Sequence, residues 1–408
     1  MAWLADLPRL AGRPLGGLVG GAGPFAFARV PRGTLVLPTR EDADRWFRAL
    51  RYFGASAHLY PADDGRPWDG VSPAAEIVRS RIVARAATSG LLVLPAKALL
   101  LRVPAVPAER TLRAGDEHDR RALTTWLTAH GYLASQHVEE PACWGARGGI
   151  LDLWPIGATA PVRLEWFDDE IASIRTFDPR TQKGGTRLAE IRVLAAREAT
   201  LDPAAAERAA AYLHTLGAER PLPPSERKRI LQDLRNGVWF PGAEDYLPAL
   251  GEVAPLRLPA PVWVVEPDAV RAELLRYDEQ IRGRFEALAE EDRPLVRPFD
   301  RYLPAAEAPL EGTTPVSALV RDGAEDFGTR STTGLKVGTG DLGPVVRQLV
   351  SWAREGRPVT LVAETTARAE RLRALLEPHG LHPGTGKAAR GEVAVDIGDL
   401  PEIGRAHV

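Results

Sequence analysis

The segment Gly17-Leu-Val-Gly20-Gly21-Ala22-Gly23-Pro24 has the glycine density of a loop that cradles phosphates through its backbone N–H groups. A working loop of that kind also needs a lysine to reach the β- and γ-phosphates and a Ser or Thr to hold Mg²⁺. Gly23 and Pro24 stand at those two places, so Gly17, Gly20, Gly23 and Pro24 read as a degenerate nucleotide loop. Weak anion binding stays open on that pattern, but hydrolysis is not expected. Pro383-Gly-Thr-Gly-Lys387-Ala388 imitates the end of such a loop, with Leu381 and Ala388 at two required positions. It lies between a helix and a strand, the reverse of the required order, and reads as a turn. The apolar run Val262 to Val265 is followed by Glu266-Pro-Asp268 rather than by an adjacent Asp-Glu pair that could hold Mg²⁺ and activate water. The eight histidines are scattered, and the single cysteine, Cys143, has no partner for a disulfide or a zinc framework. No catalytic residue, metal site or cofactor is expected in this stretch.

A different chemistry is carried by Arg147, Arg163 and Phe167. Period-two alternation puts Val162, Leu164 and Trp166 on one face of a strand and Arg163, Glu165 and Phe167 on the other. Arg163 and Phe167 then read as side by side, with Arg147 entering the neighbouring strand. A guanidinium pair beside an aromatic ring is the residue set enriched at protein–protein hot spots. Ordinary surface arginines and a phenylalanine tucked into the sheet are the competing reading of the same pattern.

The elements that must position these residues follow from periodicity. Thr34 to Pro38 reads as a buried strand, and Thr39 with Asp42 opens a capped helix that Gly54 stops. Ser72-Pro73 reads as the next helix start, followed by a helix to about Ala87 and the strand Leu91 to Leu94. These are βα units of a parallel sheet, to which Pro261 to Val265 returns. Between them, a helix from Arg120 to His130 and alternating strands from Gly148 to Val193 form a small α+β block that looks inserted. After a Pro-rich stretch from Arg293 to Thr314, helix–strand–helix–strand signals recur up to Ile397. The expected class is α/β: a degenerate P-loop-NTPase-like parallel-sheet domain (1–114 and 199–312), an inserted α+β domain (115–198) and a further small α/β domain (313–401).

The 408 residues suffice for two or three domains, with 26% charged and 45% hydrophobic residues. No apolar run approaches the roughly 18 residues of a membrane span. The first residues lack a basic region ahead of a long apolar run, so no secretory signal is read and the cytoplasm is the expected compartment. The net charge of −2, with only five lysines among 52 basic residues, excludes a global basic field for nucleic acid.

Trp144-Gly-Ala-Arg147-Gly-Gly-Ile-Leu-Asp152-Leu-Trp-Pro155, Pro161 to Ile171 and Arg175-Thr-Phe-Asp178 resemble the N-terminal module of the bacterial transcription-repair coupling factors (the Mfd family), itself similar to the excision-repair subunit UvrB. Pro67 to Pro73, Arg79-Ser-Arg81 and Gly237 to Pro248 extend the resemblance over about residues 15–400. It implies that the inserted domain binds UvrA, with Arg147, Arg163 and Phe167 matching the family's contact residues. It also implies loss of the ATPase loop that UvrB retains. No tyrosine lies between Tyr60 and Tyr132, where UvrB would carry its DNA-clamping hairpin. The alternative is a UvrB-like or helicase-like DNA-dependent ATPase of excision repair. The family's RNA-polymerase-interacting domain and its DNA translocase, which uses ATP and Mg²⁺, are not matched here, so the chain is expected to be C-terminally truncated. Glu402 to Val408 can be back-translated into a common sequencing-library adapter, and the natural frame is expected to end near Pro401.

Overall fold

The computed structural model describes residues 12–62, 66–104, 107–219, 224–289, 296–329, 343–398 and 400. The expectations for the first residues and for 402–408 fall outside them. Seven strands form an all-parallel sheet in the spatial order Glu325–Asp326, Leu15–Gly16, Thr314–Val316, Val262–Val265, Arg32–Leu37, Gly90–Pro95, Ala57–Leu59. Both faces are covered, which is why the central strands are continuously apolar. Val36, Leu92, Leu94 and Val264 point into one core with Tyr60, Trp68 and Tyr302. Leu35, Leu37, Leu91, Val93 and Trp263 point into the other, against Phe27 and Leu50. The helix Arg40–Tyr52 follows its strand directly, and the Thr39 hydroxyl accepts the Asp42 N–H at 3.1 Å, the cap expected from sequence.

Three expectations are corrected. The helix Ala75–Ala86 starts after Ala74, not at Ser72. The Ser72 hydroxyl instead donates to Glu244 at 2.6 Å and accepts the Gly242 N–H at 3.1 Å, a long-range tie that competes with capping. The large sheet also does not stop near residue 312, because Thr314–Val316 and Glu325–Asp326 pair beside Leu15. Gly384–Thr385, read as a turn, forms the short edge strand of a separate parallel sheet with Val393–Ile397 and Val359–Ala363.

Between Gly90–Pro95 and the return at Val262–Val265 lies a six-stranded sheet, in the order Gly184–Leu188, Glu170–Phe177, Val162–Phe167, Ile150–Leu153, Cys143–Arg147, Leu133–Ala134. Only the last pair is parallel. Its inner face buries Leu151, Leu153, Val162, Leu164, Ile171 and Ile174 against Leu123 and Leu127 of the helix Arg120–Ala129. The strands Glu109–Arg113 and Glu190–Leu194 pair antiparallel where the chain enters and leaves this layer. The helices Pro203–Glu219 and Pro224–Arg235 then close around a core of their own. Among the described residues, no helix is long and apolar enough to cross a membrane.

His130 ends the helix Arg120–Ala129, stacked on Trp126 at 4.1 Å between centroids. Its Nδ1 lies 2.8 Å from the Trp126 carbonyl and its Nε2 lies 3.1 Å from the Thr200 hydroxyl, so the neutral ring donates to one and accepts from the other. Burial lowers its pKa. A depressed histidine pKa means that acid protonates the unfolded chain first, so its contribution is complete above the unfolded value of about 6.5 and is lost as pH falls below it. The thermal midpoint should therefore fall more steeply from about pH 7.5 to pH 5.5 in the wild type than in His130→Gln. Parallel pH profiles would contradict this assignment.

Candidate protein-interaction face

The outer face of the six-stranded sheet is set by register. Arg147 stands opposite Ile150, and Ile150 opposite Glu165. Arg163 stands opposite Asp152 on one side and Arg175 on the other. A bulge in the partner strand follows Glu165, so that Ser173 pairs with Glu165 and Ile171 with Trp166. Trp166 thereby stays on the inner face, and Phe167 stands out at 79% exposure on the outer one. Arg147 is exposed, at the end of its strand before the Gly148-Gly149 turn.

The three residues share this face without touching. Glu165 lies between Arg163 and Phe167, about 14 Å apart at 3.4 Å per residue. The strand Ile150–Leu153 lies between Arg147 and the strand of the other two. The expected side-by-side arrangement is corrected accordingly: residues i and i+4 of a strand share a face but not a contact.

Arg163 is the most constrained of the three. Its Nε donates to Asp152 Oδ1 at 2.7 Å and its Nη2 to Asp152 Oδ2 at 2.9 Å, a bidentate pair, with Gln182 Oε1 at 3.3 Å from Nη2. Its guanidinium carbon sits 4.9 Å from the Phe177 ring centroid. The Asp152 hydrogen bonds raise the Arg163 pKa. Phe177 packs with Val138, Cys143 and Trp154 into a small apolar cluster at this end of the face. Asp178 holds the adjoining turn by accepting the Arg180 and Thr181 N–H groups, and those bonds lower its pKa. Asp152, Phe177 and Gln182 were not singled out from sequence. Asp152 and Phe177 lie inside the motif-bearing segments, but their pairing with Arg163 depends on cross-strand register.

Residues 111–198, which contain this face, match the family model of the UvrB interaction domain. The chain is 30% identical to the transcription-repair-coupling factor of Haemophilus influenzae over 308 residues, covering 71% of this chain and 26% of that protein. It is 33% identical to the Myxococcus xanthus protein of the same name over 259 residues, covering 58% and 22%. The Escherichia coli protein of that name is 29% identical over 321 residues, covering 73% and 27%. The chain is similar to part of the transcription-repair-coupling factors. It spans about a quarter of the length of the curated relatives it matches.

The glycine-rich loop faces its own chain. The Leu18 N–H donates to Ser317 O at 3.3 Å and the Val19 N–H to the Thr329 hydroxyl at 2.9 Å, while Thr329 donates to Gly17 O. A Cβ on Gly17 would run into Asp326, and one on Gly23 would lie 2.5 Å from the Trp46 ring. Gly20 carries a positive φ of 59° in the turn before the helix Ala22–Phe27, whose first turn holds Gly23 and Pro24. Glu266, after the strand Val262–Val265, accepts the Ala318 N–H at 2.7 Å and so supports the same segment. The residues present do not fit Mg²⁺–ATP: the cationic and hydroxyl side chains are missing and Trp46 occupies the space beside Gly23. Restoring the loop letters with Gly23→Lys and Pro24→Thr should displace Trp46, lower the thermal midpoint and yield no phosphate release. Turnover in that variant would contradict the packing argument. Among the described residues, no group of three or more His, Cys, Asp or Glu could hold a metal ion.

Proposed function

We propose that this chain is a UvrA-recruiting module of transcription-coupled nucleotide excision repair, which docks UvrA on the outer face of its six-stranded sheet and turns over no ATP itself. The observation that carries the reading is the match of the UvrB interaction domain to a sheet that presents an exposed Phe167 on one face with Arg147 and Arg163. Aromatic and arginine side chains dominate protein–protein hot spots because they bury large area and donate in a fixed geometry. In this reading Phe167 enters an apolar pocket of UvrA. Arg163, anchored by Asp152 and Phe177, presents Nη1, which has no hydrogen-bond partner among the described residues, and Arg147 adds a second guanidinium.

The absence of a lysine and a hydroxyl in the glycine-rich loop, with the Leu18 and Val19 N–H groups engaged, supports a binding role over the alternative of a DNA-dependent ATPase. RNA polymerase, DNA and the ATP- and Mg²⁺-dependent motor belong, on this reading, to parts of the longer relatives outside the matched quarter. Calorimetric titration of the chain into purified UvrA tests the proposal, alongside phosphate release with and without duplex DNA. Saturable binding without turnover is expected; DNA-stimulated turnover that a mutation of the Gly17–Pro24 loop removes would favour the ATPase.

A further inference from the structure

The outer face carries more positive charge than Arg147 and Arg163 account for. Register places Arg163, Arg175 and Arg187 in one row across three adjacent strands, Arg163 opposite Arg175 and Arg175 opposite Arg187. Directly opposed side chains in a sheet have Cβ atoms about 5 Å apart, and like charges at that spacing are destabilising. Arg163 is neutralised by Asp152. Arg175 and Arg187 are both exposed and, among the described residues, neither has a carboxylate partner. The strand Gly184–Leu188 that carries Arg187 is the edge of its sheet, open to a partner on that side. Lys183 and Arg180 add exposed cations at the hairpin tip, whose Asp178 is spent on capping its own turn.

The opposite end of the same face is acidic. Asp168, Asp169 and Glu170 are exposed around Phe167, and Glu165 is held by the Ser173 hydroxyl at 2.6 Å. A phosphodiester backbone would meet repulsion at that end, whereas a protein surface can match both signs. The charge of the outer face is therefore divided: acidic around Phe167, basic along the Arg175–Arg187 pair.

We infer that Arg175 and Arg187 form a second anchor for the partner, a site for two neighbouring carboxylates on the UvrA surface that sets the orientation in which Phe167 docks. The inference rests on the UvrA reading above. Carboxylates seated against the two guanidinium groups relieve their mutual repulsion on binding, so the pair is stabilised only in the complex. It also makes association depend on ionic strength, since exposed charges attract at long range until salt screens them.

Arg175→Glu separates this role from a structural one. It places opposite charges across the strand pair, so folding is maintained or improved while the carboxylate site is destroyed. Calorimetric titration into purified UvrA at low and high salt compares the wild type, Arg175→Glu, Arg187→Glu and Phe167→Ala, with thermal unfolding of each. The expected result is at least a ten-fold loss of affinity in each charge-reversed variant, an undiminished thermal midpoint in Arg175→Glu, and a flatter salt dependence than in the wild type. Affinity unchanged in Arg175→Glu but lost in Phe167→Ala overturns this inference and leaves the UvrA reading standing. A wild type that does not bind UvrA overturns both. Retention of duplex DNA that Arg175→Glu abolishes, with UvrA affinity intact, identifies phosphate as the ligand and overturns the carboxylate site.

Discussion

Glu198→Ala should destabilise the fold by about 3–5 kcal/mol, the cost of leaving buried charge without its counter-ion. Arg81 is fully buried and Glu198 8% exposed, with Arg81 Nη1 4.0 Å and Arg85 Nη1 3.7 Å from the Glu198 carboxylate. Arg81 Nε donates to Pro61 O at 2.8 Å, its guanidinium lies 5.6 Å from the Tyr60 ring centroid, and Arg85 donates to Pro104 O. Burial, helped by the nearby Glu198, pushes the Tyr60 phenol up to about 12. Both Glu198 oxygens lack hydrogen-bond partners, so the carboxylate acts through its charge rather than through directed bonds. Arg81 and Arg85 belong to the helix Ala75–Ala86 beside the large sheet, whereas Glu198 follows the last strand of the inserted layer. The triad thus ties the layer's exit to the parallel-sheet core. Urea unfolding followed by tryptophan fluorescence measures the loss, and a double-mutant cycle with Arg81→Met gives the coupling between the two sites. A loss below about 1 kcal/mol in Glu198→Ala would show that water already reaches the triad.

Arg163→Ala should weaken UvrA binding by about 2 kcal/mol or more, the scale of a hot-spot residue, in a domain that still folds but with a lowered thermal midpoint, because the covered Asp152 carboxylate loses its partner. The anchoring of Arg163 leads to a companion expectation. Asp152, 6% exposed, faces Arg163 from the neighbouring strand, and Asp152→Ala should release the guanidinium from its bidentate hold. Binding should then fall although Asp152 itself is covered, because an arginine that must be ordered on binding loses rotamer freedom at that moment. Asp152→Asn, which keeps an acceptor, should recover part of the loss. Titration of the three variants into UvrA, with thermal unfolding of each, checks the order. Wild-type affinity in a folded Arg163→Ala would move the contact off this row of the sheet.

The central strands were legible because a sheet covered on both faces demands unbroken apolar runs, as in Thr34 to Leu37 and Leu91 to Leu94. The outer face was legible for the same kind of reason: Val162 to Phe167 alternates strictly, and the bulge after Glu165 lies in the partner strand and leaves that alternation whole. Thr314–Val316 and Glu325–Asp326 were not legible, since three residues around a proline and two acids carry no strand signal. They are extended because Leu15 and Gly16 pair with them. Ser72 looked like a helix cap by local rule and was taken by Glu244 across the fold. The state of Arg163 was beyond reach for a related reason: Asp152, Gln182 and Phe177 reach it through strand register and the geometry of a hairpin turn, and neither is written in the spacing of a single segment.

The most direct test of the account is titration of this chain into purified UvrA with the wild type beside Phe167→Ala. Phe167 contributes almost nothing to the folded core at 79% exposure, so the substitution removes only what the face offers a partner. The account predicts saturable binding by the wild type and at least a ten-fold weaker affinity in an equally stable Phe167→Ala. Equal affinity in the two proteins, or a folded wild type that does not bind, would contradict it.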